Sequence, residues 1–137
     1  MIKIKMKRVI LIVLAGFILG TAIVVLANPL RKSEERIRKD MLEIFPVGTE
    51  MNDVIKTVNN NKDWEIGWIN EDSGYGIGPA GIPGEGYTTT IGETSMRIYI
   101  GEYRYSYFFV ADVVVYLGFD EDAKLIDLAV RKYIDSP

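Results

Sequence analysis

The stretch Tyr107–Ile134, YFFVADVVVYLGFDEDAKLIDLAVRKYI, decides how this 137-residue chain folds. Tyr107, Phe109, Ala111, Val113, Val115, Leu117 and Phe119 recur at every second position, the period of a β-strand whose alternate side chains share a face. Phe108, Val110, Val114 and Tyr116 fall on the other face. Both faces are thus apolar over part of the length, and the strand is expected to be central and covered on both sides. Asp120-Glu121-Asp122-Ala123-Lys124 reads as a tight polar turn. Leu125–Ile134 then returns as an antiparallel strand, with Ile126, Leu128, Val130 and Ile134 expected inward.

The same period appears twice upstream. Met96, Ile98 and Ile100 alternate with Arg97 and Tyr99, and Trp64, Ile66 and Trp68 alternate with Glu65 and Gly67 as a short strand with one aromatic face. Before them the period is helical. Leu30, Ile37, Met41, Ile44 and Phe45 mark one stripe, ended by Pro46; Met51, Val54, Ile55 and Val58 mark a second, with Thr49 as a natural N-cap. The expected fold is α+β, with two N-terminal helices packed on a four-stranded antiparallel sheet and one transmembrane or signal helix in front.

That leading helix is read from residues 9–27, VILIVLAGFILGTAIVVLA, a run without a charge. Nineteen helical residues span about 28 Å, close to the hydrocarbon thickness of a bilayer. Lys3, Lys5, Lys7 and Arg8 precede the run, as in a signal sequence or signal anchor. Cleavage after Ala27 would release a secreted domain, but the run exceeds the usual signal core, so residues 1–27 are taken as an uncleaved anchor. Residues 28–137 form the extracytoplasmic domain under either alternative. No cysteine follows the run, which excludes a lipid-anchored lipoprotein. Basic residues flank both ends, so the inside orientation of the N-terminus rests on the anchor layout and not on charge asymmetry. Gly16 and Gly20 form a GxxxG within the run, a spacing that glycine-rich spans reach by chance.

Residues 40–137 hold 7 Lys and Arg against 17 Asp and Glu, a net of −10. An acidic body argues against nucleic acid, whose phosphates need a basic footprint. The chain has no histidine and no cysteine. It therefore lacks the commonest general base, the commonest zinc ligand and any thiolate, and neither an enzyme nor a cofactor is expected. Asp120, Glu121 and Asp122 lack the spacing of a calcium loop and read as a polar hairpin tip.

Two segments resemble a known family. Phe45–Val54, FPVGTEMNDV, is similar to the helix start of SmpA/OmlA-like proteins, and Val114–Leu125, VVYLGFDEDAKL, resembles their closing FD-x-D/N-G-K-L hairpin. The resemblance extends over residues 36–133 as an order of elements. It implies the α+β fold shared with β-lactamase inhibitor protein repeats, and a function in binding other proteins. Two positions depart from the pattern: there is no lipobox cysteine, and Ala123 stands where the family usually has glycine.

Between the first strand, at Trp64–Trp68, and the second, at Met96–Ile100, lies a glycine-rich connection, residues 71–92. Gly76-Ile77-Gly78-Pro79-Ala80-Gly81 matches G-x-G-x-x-G, but Pro83 and the β-branched run Thr88–Thr90 follow where a dinucleotide site needs a helix. No nucleotide is expected. Connections this long are functional or disordered in most domains, and Tyr75, Ile77, Ile82 and Tyr87 supply apolar handles, so a mobile, partner-facing loop is expected. Tyr103, Arg104 and Tyr105 carry residue types enriched in protein interfaces.

The function these features point to is a membrane-anchored bacterial envelope protein that binds another protein. Alternatives are an immunity or inhibitor protein that blocks a basic toxin or enzyme, and a small hydrolase using Glu71, Asp72 or Glu85.

Overall fold

The computed structural model describes residues 2–26, 28–84 and 89–135, and the side chains of 5–19, 28–84 and 89–135. In chain order they form helix α1 (Ile2–Leu26), a 3-10 turn (Pro29–Arg31), helices α2 (Glu34–Ile44) and α3 (Met51–Asn60), and strands β1 (Glu65–Asn70), β2 (Tyr75–Ile77), β3 (Thr89–Ile91), β4 (Thr94–Arg104), β5 (Val110–Phe119) and β6 (Leu125–Ile134). The fold is α+β, with a four-stranded antiparallel sheet ordered β1-β4-β5-β6. A separate two-stranded sheet pairs β2 with β3.

Period-2 alternation places Met96, Ile98, Val113, Val115, Leu117, Leu128 and Val130 on one face of the large sheet, all buried. Helices α2 and α3 cover that face, contributing Ile37, Met41, Val54 and Val58 to one continuous core closed by Phe45, Phe119 and Leu125. Burial of this apolar stripe, at about 25 cal/mol per Å², holds two short helices that would not persist alone in water. Ser33 caps α2 by accepting from Arg36 N at 3.3 Å.

Helix α3 begins differently from expectation. Thr49 is not its cap: the N-cap is Glu50, with no side-chain bond, and Thr49 Oγ1 donates instead to the Pro46 carbonyl at 2.6 Å. The amide of Met51 donates to Ala123 O at 2.9 Å, so the β5–β6 turn meets a group that a cap would otherwise satisfy. Gly48 N donates to Leu125 O and Leu125 N to Thr49 O, both at 2.8 Å. The helix start at 45–54 and the closing hairpin at 114–125 are therefore hydrogen-bonded to one another. Within that turn Asp120 Oδ1 accepts from the amides of Asp122 and Lys124, each at 2.9 Å, and Ala123 takes a positive φ of 57°. This conformation is unfavourable for any residue with a Cβ.

The other face of β5 is equally buried, through Val114, Tyr116 and Gly118. It is covered by the glycine-rich segment. The described part of that segment does not project as a mobile loop: β2 and β3 lie over the sheet, and Ser95 Oγ, fully buried, donates to Ser73 O at 2.8 Å. Gly84 N donates to Gly76 O at 2.9 Å and Gly78 N to Ile82 O at 2.9 Å, which folds the residues after β2 back upon it. Residues 85–88 lie outside the described residues.

Three further expectations are corrected. A bulge between Ile66 and Trp68 turns Trp68 to the opposite face from Trp64, so β1 has no single aromatic face. Trp64 packs on Phe45 and Trp68 on Tyr116, both with ring centroids 6.2 Å apart. Strand β5 begins at Val110, leaving Tyr107 and Phe108 exposed in the β4–β5 turn. A register shift between Gly118 and Phe119 pairs Phe119 with Leu125, so Leu125 is inward and Ile126 is exposed.

Among the described residues no helix is long and apolar enough to cross a membrane. The side chains described in α1 are those of 5–19, all exposed, and the apolar run 9–27 extends beyond them. The expectation of a span over the whole run thus lies partly outside the described residues.

The second layer requires glycine where it meets the sheet. A Cβ on Gly74 would stand 2.0 Å from Ile91 O, and one on Gly118 would stand 2.5 Å from that same carbonyl. Gly74→Ala is accordingly expected to lower unfolding stability by about 1–3 kcal/mol, the range for overpacking, read as a shift of the denaturant midpoint of the full chain.

Candidate functional site

Strand β4 outruns its neighbour. The first residue pair of β1 with β4 is Glu65 with Tyr99, so Gly101–Arg104 is paired to β5 on one side and to no strand among the described residues on the other. A register shift between Tyr99 and Gly101 accompanies the change. Beside this open edge lies a groove of about 600 Å³, lined by Leu30, Ile37, Met41, Ile44, Trp64 and Ile100 among others. Its walls follow from local sequence. Asn28 Oδ1 accepts from Leu30 N at 3.0 Å, and Pro29 starts the 3-10 turn that sets Leu30 against Gly101. Ile44, the last residue of α2, is 47% exposed at the rim.

The expected partner-binding residues do not form one surface. Tyr75 is 2% exposed and packs on Tyr116 with centroids 5.9 Å apart, so it is core of the second layer and is not available to a partner. Burial, followed by the Asp127 charge, pushes its hydroxyl well above the ordinary tyrosine value. Ile77 is half-buried in β2. Ile82 is exposed, and Tyr87 lies outside the described residues. Tyr103, Arg104 and Tyr105 do lie together, at the far end of β4. The Tyr103 ring sits between the Arg31 guanidinium at 5.2 Å and Lys132 Nζ at 4.8 Å. Arg31 Nη2 donates to Arg104 O at 2.6 Å, and Lys132 Nζ donates to Tyr103 OH at 3.1 Å. Tyr105 is exposed.

A second concavity, of about 670 Å³, opens where the glycine-rich layer meets the sheet, between Trp68, Asn70, Ser73, Tyr75, Gly84 and Thr90. The sheet face beneath that layer is polar and aromatic. Arg97 lies 6.0 Å from the Tyr116 ring and 5.6 Å from Tyr133, and Arg131 stacks on Tyr133 at 4.4 Å while donating to Pro83 O at 2.9 Å. The Tyr116 and Tyr133 hydroxyls are 2.5 Å apart. Burial, and then that hydrogen bond, pushes the Tyr116 hydroxyl up to about 12. The arrangement clamps the layer to the sheet. Glu71 and Asp72 are exposed after β1 and line neither concavity, and Glu85 lies outside the described residues.

Sequence reasoning missed the groove, because its existence depends on where β1 stops. Tyr107, whose parity allows either the strand face or an exposed surface with Tyr103 and Tyr105, is 91% exposed at the β4–β5 tip, and Phe108 beside it, expected on the strand's other face, is 81% exposed. One signal was readable: Tyr105-Ser106-Tyr107-Phe108-Phe109 sets four aromatics about a single serine just ahead of the valine-rich run.

No family model, curated protein or solved structure matches the chain.

Glu102 and Asp112 face each other directly across β4 and β5, an unfavourable pairing of like charges. The Asp112 carboxyl is raised above its ordinary value by burial, then by the charges of Asp135 and Glu102, with Arg97 opposing. The folded chain therefore holds this proton more tightly than the unfolded chain. The stability so contributed is present below the ordinary carboxylate range and is lost as pH rises through the raised value. Asp112→Asn is expected to raise the melting temperature at neutral pH. The gain over the wild-type chain should close as the solution is acidified below the carboxylate range.

Proposed function

We propose that the chain is a membrane-anchored protein of the bacterial envelope whose extracytoplasmic domain binds an extended segment of another protein. The observation that carries this reading is the outer edge of β4 at Gly101–Tyr103, which pairs with no strand among the described residues and lies beside an apolar groove, the Arg104 carbonyl next to it being taken by Arg31. An open edge offers backbone donors and acceptors to an added strand, while the groove offers pockets for its alternate side chains. Leu30, Ile44 and Trp64 would supply those pockets.

The anchoring half rests on α1. Its described side chains from Val9 to Leu19 are apolar on every side of the helix and exposed. A helix that is apolar all round is stable in a membrane or a protein interior and not on a water-facing surface. The whole element has 25 residues, about 37 Å at the usual rise. The order of two helices and four antiparallel strands also agrees with the resemblance to SmpA/OmlA-like domains, which mostly bind other proteins; this support is an analogy of fold.

A photo-crosslinking residue at Asp63, which lines the groove and is exposed, tests the proposal in the full chain in native membranes. One adduct of defined mass is expected there and none from the same residue at Glu121. Ile44→Glu should weaken the adduct about tenfold, the loss expected for a buried apolar contact at an interface. An adduct indifferent to Ile44→Glu, or none at Asp63, would contradict the reading.

A further inference from the structure

The hairpin joining β4 to β5 is closed by Tyr105 N and Ser106 N, which donate to Phe109 O at 2.9 and 3.3 Å. Tight turns favour Gly, Asn, Asp, Pro and Ser, yet this one presents Tyr105, Tyr107 and Phe108 to solvent, the last two almost fully exposed. Single exposed apolar residues need no explanation. Adjacent aromatics standing clear of the domain at a hairpin tip do.

The place of this tip in the fold says what it meets. The chain leaves α1 at Leu26 and is fastened to the domain two residues later: Asn28 holds Leu30, Leu30 lies against Gly101, and Arg31 binds Arg104 O. Arg104 is the last residue of β4 before the tip. The end of α1 and the aromatic tip therefore lie at one end of the domain. The β5–β6 turn, Asp120–Lys124, lies at the other end of β5, ten residues or about 33 Å away, and is acidic with no large apolar side chain. Charges of both signs stand near the tip: Arg31, Arg104 and Lys132, with Lys32 paired to Asp40 at 2.6 Å. Glu102 and Asp112 face each other across β4 and β5 two residues back, and Asp135, just past β6, lies level with Arg104, its amide donating to Val110 O.

We infer that the Tyr105–Phe108 tip inserts into the lipid headgroup layer beside the anchor helix and seats this end of the domain on the membrane surface. The inference rests on the reading of α1 as a membrane anchor. Aromatic side chains concentrate at the membrane–water boundary, where the ring leaves water and a hydroxyl stays in it. A protein partner is the weaker occupant: a convex hairpin of three aromatics falls far short of the roughly 800 Å² per side of a stable interface. Insertion also fixes the height of the domain. The β4 edge and its groove then face along the membrane surface, while the acidic turn points away from it.

The chain has no cysteine, so single spin labels report without background. Tyr107→Cys, Glu121→Cys and Ala15→Cys are labelled in the full chain reconstituted in mixed phosphatidylcholine and phosphatidylglycerol vesicles. Collision with oxygen, which partitions into lipid, is compared with collision with a water-soluble nickel chelate present on both sides of the bilayer. The label at 107 is expected to show nickel access several-fold below that at 121, with oxygen access raised. Phe108→Asp should return it to the value at 121. If the label at 15 is lipid-buried while that at 107 matches 121, the tip stands in water and the inference is overturned with the anchor intact. If 15 is itself open to nickel, the anchor reading fails and this inference with it. Shielding of 107 from both reagents would mark a protein contact and would also overturn insertion.

Discussion

Strand β5 has no outer face. From Val113 to Phe119 every residue is buried, and a strand buried on both sides must be covered on both sides. One cover is ordinary: α2 and α3 lay an apolar stripe on Val113, Val115, Leu117 and Phe119. The other is made from a segment whose composition resembles a linker. Gly74 within it and Gly118 on β5 let Ile91 O approach both backbones. Its few large groups, Tyr75 and Pro83, are buried under it. An open α+β layer pair thus becomes three layers, with a thin third layer held by Ser95, Tyr116, Arg131 and Tyr133 more than by a broad apolar contact.

The elements with sustained periodicity were legible in the residues. Met51, Val54, Ile55 and Val58 mark α3, Met96, Ile98 and Ile100 mark β4, and the double-faced run marks β5 as central. What could not be read depends on single-residue insertions and on distant partners. One extra residue at Gly67 reverses Trp68, and a register shift at Phe119 exchanges Leu125 for Ile126 on the core face. The α3 cap is replaced by a carbonyl 72 positions along the chain, Ala123 O to Met51 N, which no local rule could supply. The valine-rich alternation extends by parity back to Tyr107, but aromatic turn residues satisfy the same parity without pairing. Of the candidate site, Tyr103, Arg104 and Tyr105 are consecutive in sequence and lie together at the end of β4. Tyr75 was misplaced because an apolar residue among glycines reads as exposed unless the second layer is already known.

The same geometry gives the molecule two unlike ends. One end sets the exposed aromatics among both basic side chains (Arg31, Arg104, Lys132) and acidic ones (Glu102, Asp112, Asp135), while the β5–β6 turn gathers Asp120, Glu121 and Asp122 with no large apolar side chain. The groove lies at the first end because β1 stops short of it, leaving the outer side of β4 with no paired strand among the described residues where Leu30 and Ile44 frame the opening. A protein tethered by α1 would present that edge near the bilayer, within reach of extended segments emerging from or lying along it.

The covering of β5 on its second face depends most on the glycine-rich segment being a folded layer. Amide hydrogen exchange on the full chain measures this at Gly78, Gly81 and Gly84, whose amides donate to Ile82 O, Gly78 O and Gly76 O. Protection of these amides comparable to that of the β4–β5 ladder is the expected result. Unretarded exchange at all three, with β5 still protected, would mean that something other than this segment covers the second face, and would contradict the account.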